Sequence, residues 1–239
     1  MSTLTERYDL VKEQIKQASR PDQQVTLLAV SKTRSSDEVL SVHQQGQIQF
    51  GENYIQEAVD KVHALSDYPI EWHFIGPLQS NKTRLAAENF SWIHTVDRLK
   101  IAKRLSDQRQ SNLPDLNICL QVNIDDEETK SGFAPNQLIE AALEIVKLPN
   151  IKLRGLMAIP KATTDSAQQE KSFREMSELM NSINKRLETS SPNTNQLDTL
   201  SMGMSGDMAT AIHCGSTIVR IGTAIFGPRP EKTTPTSNT

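Results

Sequence analysis

The sequence predicts an α/β protein folded as a (β/α)8 TIM barrel, and three observations carry that expectation. Short apolar runs alternate with longer stretches of helical pattern, the arrangement that builds a parallel sheet. There are eight such units, which in 239 residues predict closure into a barrel rather than an open doubly wound sheet. A hydrophobic content of 36% is enough to fill one core.

Met1 to Arg20 reads as an amphipathic helix opened by a Thr3-x-x-Glu6 capping box. It is an extra element, expected outside the barrel and towards its bottom. The strand runs follow as Val25–Val30, Ile48–Phe50, Trp72–Ile75, Trp92–His94, Ile118–Val122, Leu153–Met157, Leu197–Leu200 and Ile218–Ile221. Helical patterns separate them at Ser36–Gln45, Tyr54–Leu65, Asn81–Glu88, Arg98–Gln110, Pro135–Lys147, Ala167–Leu187 and Asp207–Cys214. Residues 1–227 are expected to form a single barrel domain. The tail 228–239 is rich in Pro, Thr, Lys and Ser, and nothing after Phe226 is apolar. Such a segment cannot offset its ordering entropy and is expected to be disordered.

A net charge of −3 and scattered Lys and Arg give no basic footprint for nucleic acid, so small molecules are the expected partners. Cys119 and Cys214 have neither metal-ligand spacing nor a disulfide framework, and no metal is expected. No apolar stretch reaches the ~20 residues of a membrane span, and the N-terminus lacks the apolar core of a signal peptide. These readings predict a cytoplasmic protein with reduced thiols.

Function in such a barrel lies in the loops at the C-terminal ends of the strands, with phosphate held after strands seven and eight. Lys32 closes the first apolar run. In a partly desolvated mouth its neutral, nucleophilic form is favoured, and such an amine can form a Schiff base. The residue alone also fits a strand-end lysine whose stem packs on the rim. After the seventh run comes Ser201-Met202-Gly203-Met204-Ser205-Gly206-Asp207, and after the eighth Arg220-Ile221-Gly222-Thr223-Ala224-Ile225-Phe226-Gly227. Glycines let N–H groups approach an anion, a helix opening near Gly206 would aim its free donors the same way, and Ser205 and Thr223 add hydroxyls. Closure sets strand eight beside strand one, so both loops and Lys32 meet.

Other loops are less decisive. Asn53 suits a ring hydrogen bond or a helix N-cap, and His73 reads as a hydrogen-bonded core histidine. Gln79 and Asn81 read equally as a helix start and Lys82 as a solvated charge. Asp125-Asp126-Glu127-Glu128 reads as a solvated turn rather than a metal site. Lys130 lies on the functional face as a second amine near the mouth.

Six strings now bear comparison: Ala29-Val30-Ser31-Lys32; Phe50-Gly51-Glu52-Asn53-Tyr54; Trp72-His73-Phe74-Ile75-Gly76-x-Leu78-Gln79-x-Asn81-Lys82; Gly155-Leu156-Met157-Ala158-Ile159-Pro160; Leu200-Ser201-Met202-Gly203-Met204-Ser205-x-Asp207-Met208; and Val219 to Gly227. Together, in collinear order from Leu27 to Gly227, they resemble the pyridoxal phosphate homeostasis family, also called the YggS or PROSC family. The resemblance implies a fold-type III barrel like the alanine racemase N-terminal domain, carrying pyridoxal 5'-phosphate (PLP) as an internal aldimine. It implies that Lys32 is the Schiff-base lysine, that Ser205, Gly222 and Thr223 cradle the phosphate, that Arg220 faces the pyridine nitrogen, that Asn53 lies near the ring and that Met204 lines the pocket.

An arginine at the pyridine nitrogen keeps that nitrogen unprotonated and weakens the ring as an electron sink. A two-base racemase also needs an acid/base on the ring face opposite the lysine. The barrel is expected to take up the chain, leaving no second domain to supply one, and of Tyr8, Tyr54 and Tyr68 only Tyr54 lies in a strand-end loop. The leading expectation is a monomeric PLP carrier without efficient catalysis, acting in vitamin B6 homeostasis with apo-enzymes as recipients. The alternatives are a monomeric racemase-like PLP enzyme and a Schiff-base aldolase for a sugar phosphate.

Overall fold

A computed structural model describes residues 2–127, 130–161, 163, 165–192 and 194–228. The tail expected to be disordered lies outside the described residues apart from Pro228, as does Glu128 of the acidic stretch. Eight parallel strands close a barrel in sequence order: β1 Thr26–Val30, β2 Gln49–Glu52, β3 Glu71–Phe74, β4 Trp92–Val96, β5 Leu116–Val122, β6 Ile151–Ala158, β7 Thr199–Ser201 and β8 Ile218–Ile221. Every predicted run holds a strand. The seam is closed by β8 on β1, with Leu28 opposite Arg220 and Ala29 opposite Ile221.

Nine helices are described: α1 Leu4–Ala18, α2 Ser36–His43, α3 Ile55–Ala64, α4 Thr83–Asn89, α5 Leu99–Gln108, α6 Leu138–Ile145, α7 Ser166–Ser190, α8 Met208–His213 and α9 Thr223–Phe226. Their starts follow side-chain chemistry. Thr3 with Glu6 and Ser35 with Glu38 form capping boxes, and Asp165 accepts from the Ala167 and Gln168 N–H groups.

The extra helix stands on the wall rather than under the barrel. α1 packs against α2, α8 and α9, and the single-turn α9 is too short to cover the β8–β1 seam. α1 therefore takes the eighth place in the outer ring. It buries Tyr8, Val11 and Ile15, and Arg7 Nε donates to the Ile225 carbonyl at 2.8 Å. α9 itself was read from sequence as loop, since four residues are too few to show a helical period.

Most of the core lies between sheet and helices, built on Val39, Phe50, Phe74, Ile101, Ile118, Leu138 and Phe173. Inside the barrel the alternation of strand side chains gives separate, smaller groupings: Leu28, Ile75 and Ile218 with Val30, and Trp92, Cys119 and Met157. Each inward row climbs two residues at a time to the mouth at the strands' C-terminal ends.

Candidate functional site

Continuing those rows by two places reaches the chemistry. Leu28 and Val30 lead to Lys32, Ile218 and Arg220 lead to Gly222, Gly51 leads to Asn53, and Met157 leads to Ile159. Lys32, Asn53, Ile159 and Gly222 line a cavity of about 320 Å³ at the mouth, together with Met204, Ser205, Arg220 and Thr223, within the size range of ligand sites. The structure thus brings all seven residues singled out from sequence, Lys32, Asn53, Met204, Ser205, Arg220, Gly222 and Thr223, to one cavity.

Lys32 is half-buried, and the backbone on both sides of it is pinned. The Ser31 N–H donates to the Gly51 carbonyl at 3.0 Å, which extends the β1–β2 ladder one residue. Lys61 Nζ, from α3, donates to the Ser31 carbonyl at 2.7 Å and to the carboxylates of Glu52 and Glu57 at 2.8 and 2.7 Å. Glu57 in turn accepts from the Thr33 N–H at 2.6 Å. Thr33 lies at φ 64°, a left-handed conformation costly for a β-branched residue, and it turns the chain directly after Lys32.

Asn53 is held by a close approach of two loops. A Cβ at Gly76 would stand 1.9 Å from the Asn53 carbonyl oxygen, so only glycine permits this contact. Asn53 lines the cavity, and among the described residues its buried Oδ1 has no hydrogen-bond partner. Leaving such an atom unpaired costs free energy.

The loop after β7 turns at Gly203, φ 94°, where a Cβ would lie 2.6 Å from Ala211 Cβ. The Gly203 carbonyl accepts from the Arg220 N–H at 3.0 Å, which ties the loop to β8. Met204, Ser205 and Gly206 are exposed at the rim, and α8 opens after them at Met208. After β8, Gly222 lies where a Cβ would meet the Val30 carbonyl oxygen at 3.2 Å, and Thr223 opens α9. The first N–H groups of a helical turn have no intrahelical acceptor.

Arg220 is 5% exposed. Its Nη1 donates to the Ser201 carbonyl at 2.5 Å and Ser201 Oγ at 3.0 Å, and Nη2 to the Ala158 carbonyl at 2.9 Å. Burial draws its pKa down to about 10, with Asp207 and Cys119 acting weakly the other way. The ionisable residues lining the cavity are Lys32, Arg34 and Arg220. With three basic side chains and no acidic one among the described lining residues, the mouth favours an anion.

Arg34 was missed in the sequence. Its Nη2 donates to the carbonyls of Gly227 and Pro228 at 2.6 and 2.8 Å, so it clips the loop after β1 to the chain leaving α9. Its place two residues beyond Lys32 was the available signal. Tyr54, Gln79, Asn81 and Lys82 do not line this cavity. Lys130 instead borders a neighbouring cavity of about 300 Å³ and pairs with Glu127 at 2.5 Å. The acidic stretch is less solvated than expected, because Asp125 accepts from the Lys161 N–H at 2.5 Å and from Ser172 Oγ at 2.8 Å.

Residues 7–230 match the family described as alanine racemase, N-terminal domain. A pyridoxal phosphate homeostasis protein of Pasteurella multocida is 52% identical over 221 residues, covering 92% of this chain and 93% of the relative. The chain belongs to the pyridoxal phosphate homeostasis protein family. Within solved structures, PipY of Synechococcus elongatus PCC7942 with PLP bound matches at TM-score 0.81 and 32% identity, over 94% of this chain and 100% of that one. Alanine racemase of Clostridium difficile shares the fold at TM-score 0.71 and 12% identity, and this chain covers 58% of its length.

Proposed function

We propose that the protein binds PLP in this cavity, holds it covalently on Lys32, and takes part in PLP homeostasis by buffering the cofactor or handing it to apo-enzymes. The observation that carries this reading is the lining itself: an amine, two glycine-containing loops with hydroxyls and a buried arginine. PLP supplies an aldehyde that an amine can hold and a pyridine ring that can withdraw electrons.

The residues divide the work by position. Lys32, fixed at Ser31 and Thr33, presents its amine to the aldehyde. Ser205 and Thr223 offer hydroxyl donors to the phosphate, and Gly222 leaves room for close approach. Arg220 aims a cation at the pyridine nitrogen and disfavours its protonation, while Asn53 lies near the ring and Met204 covers the rim.

The same lining argues against efficient amino-acid chemistry. Among the described lining residues Lys32 is the one amine, and the other ionisable groups, Arg34 and Arg220, are guanidiniums that stay charged. Tyr54 is 55% exposed and lies outside the cavity. Each missing general acid or base costs roughly 10²–10⁴ in rate. A cytoplasmic monomer is the form proposed, and two buried free cysteines suit that compartment.

Incubating the PLP-loaded protein with alanine, serine and glutamate in deuterated water tests this reading by proton NMR and chiral analysis. Only slow α-hydrogen exchange is expected. Turnover in the ordinary enzyme range of about 1–10³ per second would replace the carrier with a racemase-like enzyme.

A further inference from the structure

A row of polar side chains crosses the inside of the barrel. Arg220 Nη1 lies 3.0 Å from Ser201 Oγ, which lies 2.8 Å from His94 Nδ1. His94 Nε2 lies 2.9 Å from His73 Nδ1, and His73 Nε2 lies 2.9 Å from Glu71 Oε1. Ser201, His94 and His73 are at most 1% exposed. Glu71, the first residue of β3, is 39% exposed at the barrel end opposite the cavity.

The two ends dictate the direction of every bond between them. A guanidinium only donates and a carboxylate only accepts. Burial lowers both histidine pKa values, most strongly for His94, so both rings are neutral. His73 must donate Nε2–H to Glu71, which leaves its Nδ1 to accept from His94 Nε2–H. His94 Nδ1 then accepts the Ser201 hydroxyl, and Ser201 Oγ is left to accept from Arg220. Each ring is an Nε2–H tautomer, and all four hydrogens point from Arg220 towards Glu71.

We propose that Glu71, His73, His94 and Ser201 are positioning residues for Arg220. They form a one-directional hydrogen-bond chain that fixes how the guanidinium faces the cavity. The proposal rests on reading that cavity as the PLP site. A plain core would be served by apolar side chains in these places, whereas three buried polar groups are worth their desolvation only as a fully satisfied series. Without the acceptor at Glu71, His73 is free to change tautomer, and each bond up to Arg220 loses its fixed sense.

Two measurements decide it. Histidine ¹⁵N NMR on the full chain without added PLP, assigned through His73→Gln and His94→Gln, should give neutral Nε2–H tautomers for both rings. An Nδ1–H tautomer for either ring overturns the chain. In the second, Glu71→Ala, Glu71→Gln and Ser201→Ala are compared by PLP dissociation constant and by the absorption maximum of bound cofactor. Glu71→Ala should weaken binding about threefold or more and move the band. Glu71→Gln, which keeps an acceptor, should recover most of that, and Glu71→Ala should add little in a Ser201→Ala background. Equal effects in both backgrounds, or no recovery with glutamine, overturn the proposal. Failure of the unsubstituted protein to take up PLP would defeat the cofactor reading alone. The histidine tautomers, and the Arg220 guanidinium ¹⁵N signals followed through the same variants, would still decide the chain.

Discussion

Two buried polar groupings flank the cavity, and they meet the cost of burial in opposite ways. Behind Lys32, between the sheet and α3, Glu52, Lys61 and Glu57 form a knot of touching opposite charges. Inside the barrel, Arg220 touches no carboxylate among the described residues and is satisfied by carbonyls and a hydroxyl. The knot pairs the fully buried Glu52 with Lys61, leaves its one excess negative charge with the partly exposed Glu57, and fixes backbone on either side of Lys32. The row leaves the charge of Arg220 uncancelled, available to whatever enters the cavity, and fixes a side-chain direction instead. Where this fold must hold a main-chain turn it uses ion pairs, and where it must aim a cation it uses neutral partners.

The largest effect expected from this contrast is on the knot. Lys61→Met should lower stability by about 3–5 kcal/mol, because fully buried Glu52 then keeps a charge without its partner. Replacing both, Lys61→Met with Glu52→Leu, should recover much of the loss. Denaturant melts check both, and a double variant as unstable as the single one would mean that Lys61 does not act by pairing Glu52.

A smaller effect separates the row by its response to acid. Both histidines sit below their ordinary 6.5 because of burial, so the unfolded chain takes up protons before the folded protein does. Their contribution to stability is complete above pH 6.5 and is lost as pH falls from there through the folded values. Each proton steepens the loss by up to about 1.4 kcal/mol per pH unit. Glu71, lowered chiefly by its bond to His73, loses its share only as pH falls from the ordinary 4.5. Glu52 is raised by burial and acts the other way, with a contribution lost as pH rises from 4.5 through its folded value. Melts between pH 7 and 5 should therefore show falling stability, and His94→Gln should flatten the slope. An unchanged slope would detach the row from the acid response.

The strands were legible because inward and outward apolar residues together made eight continuous runs, and the mouth was legible because the rows ending in Lys32, Asn53 and Gly222 carry chemistry at strand ends. What escaped notice depends on pairing across the barrel. His73 reads as a core histidine, His94 only ends the fourth run and Ser201 opens the loop after the seventh, so only closure of the three strands reveals the row. Arg34 was obscure for the same reason, since the carbonyls it clips belong to Gly227 and Pro228 at the far end of the chain. α1 looked like a cover for the barrel bottom until the shortness of α9 opened a gap in the outer ring.

The claim that Lys32 holds PLP is tested most directly by borohydride reduction of the PLP-loaded protein followed by peptide mass spectrometry. The pyridoxyl mass is predicted on the peptide carrying Lys32, and Lys32→Ala should lose it while keeping weak PLP binding through the loops after β7 and β8. An adduct confined to Lys82 or Lys130 in the unsubstituted protein would contradict the account.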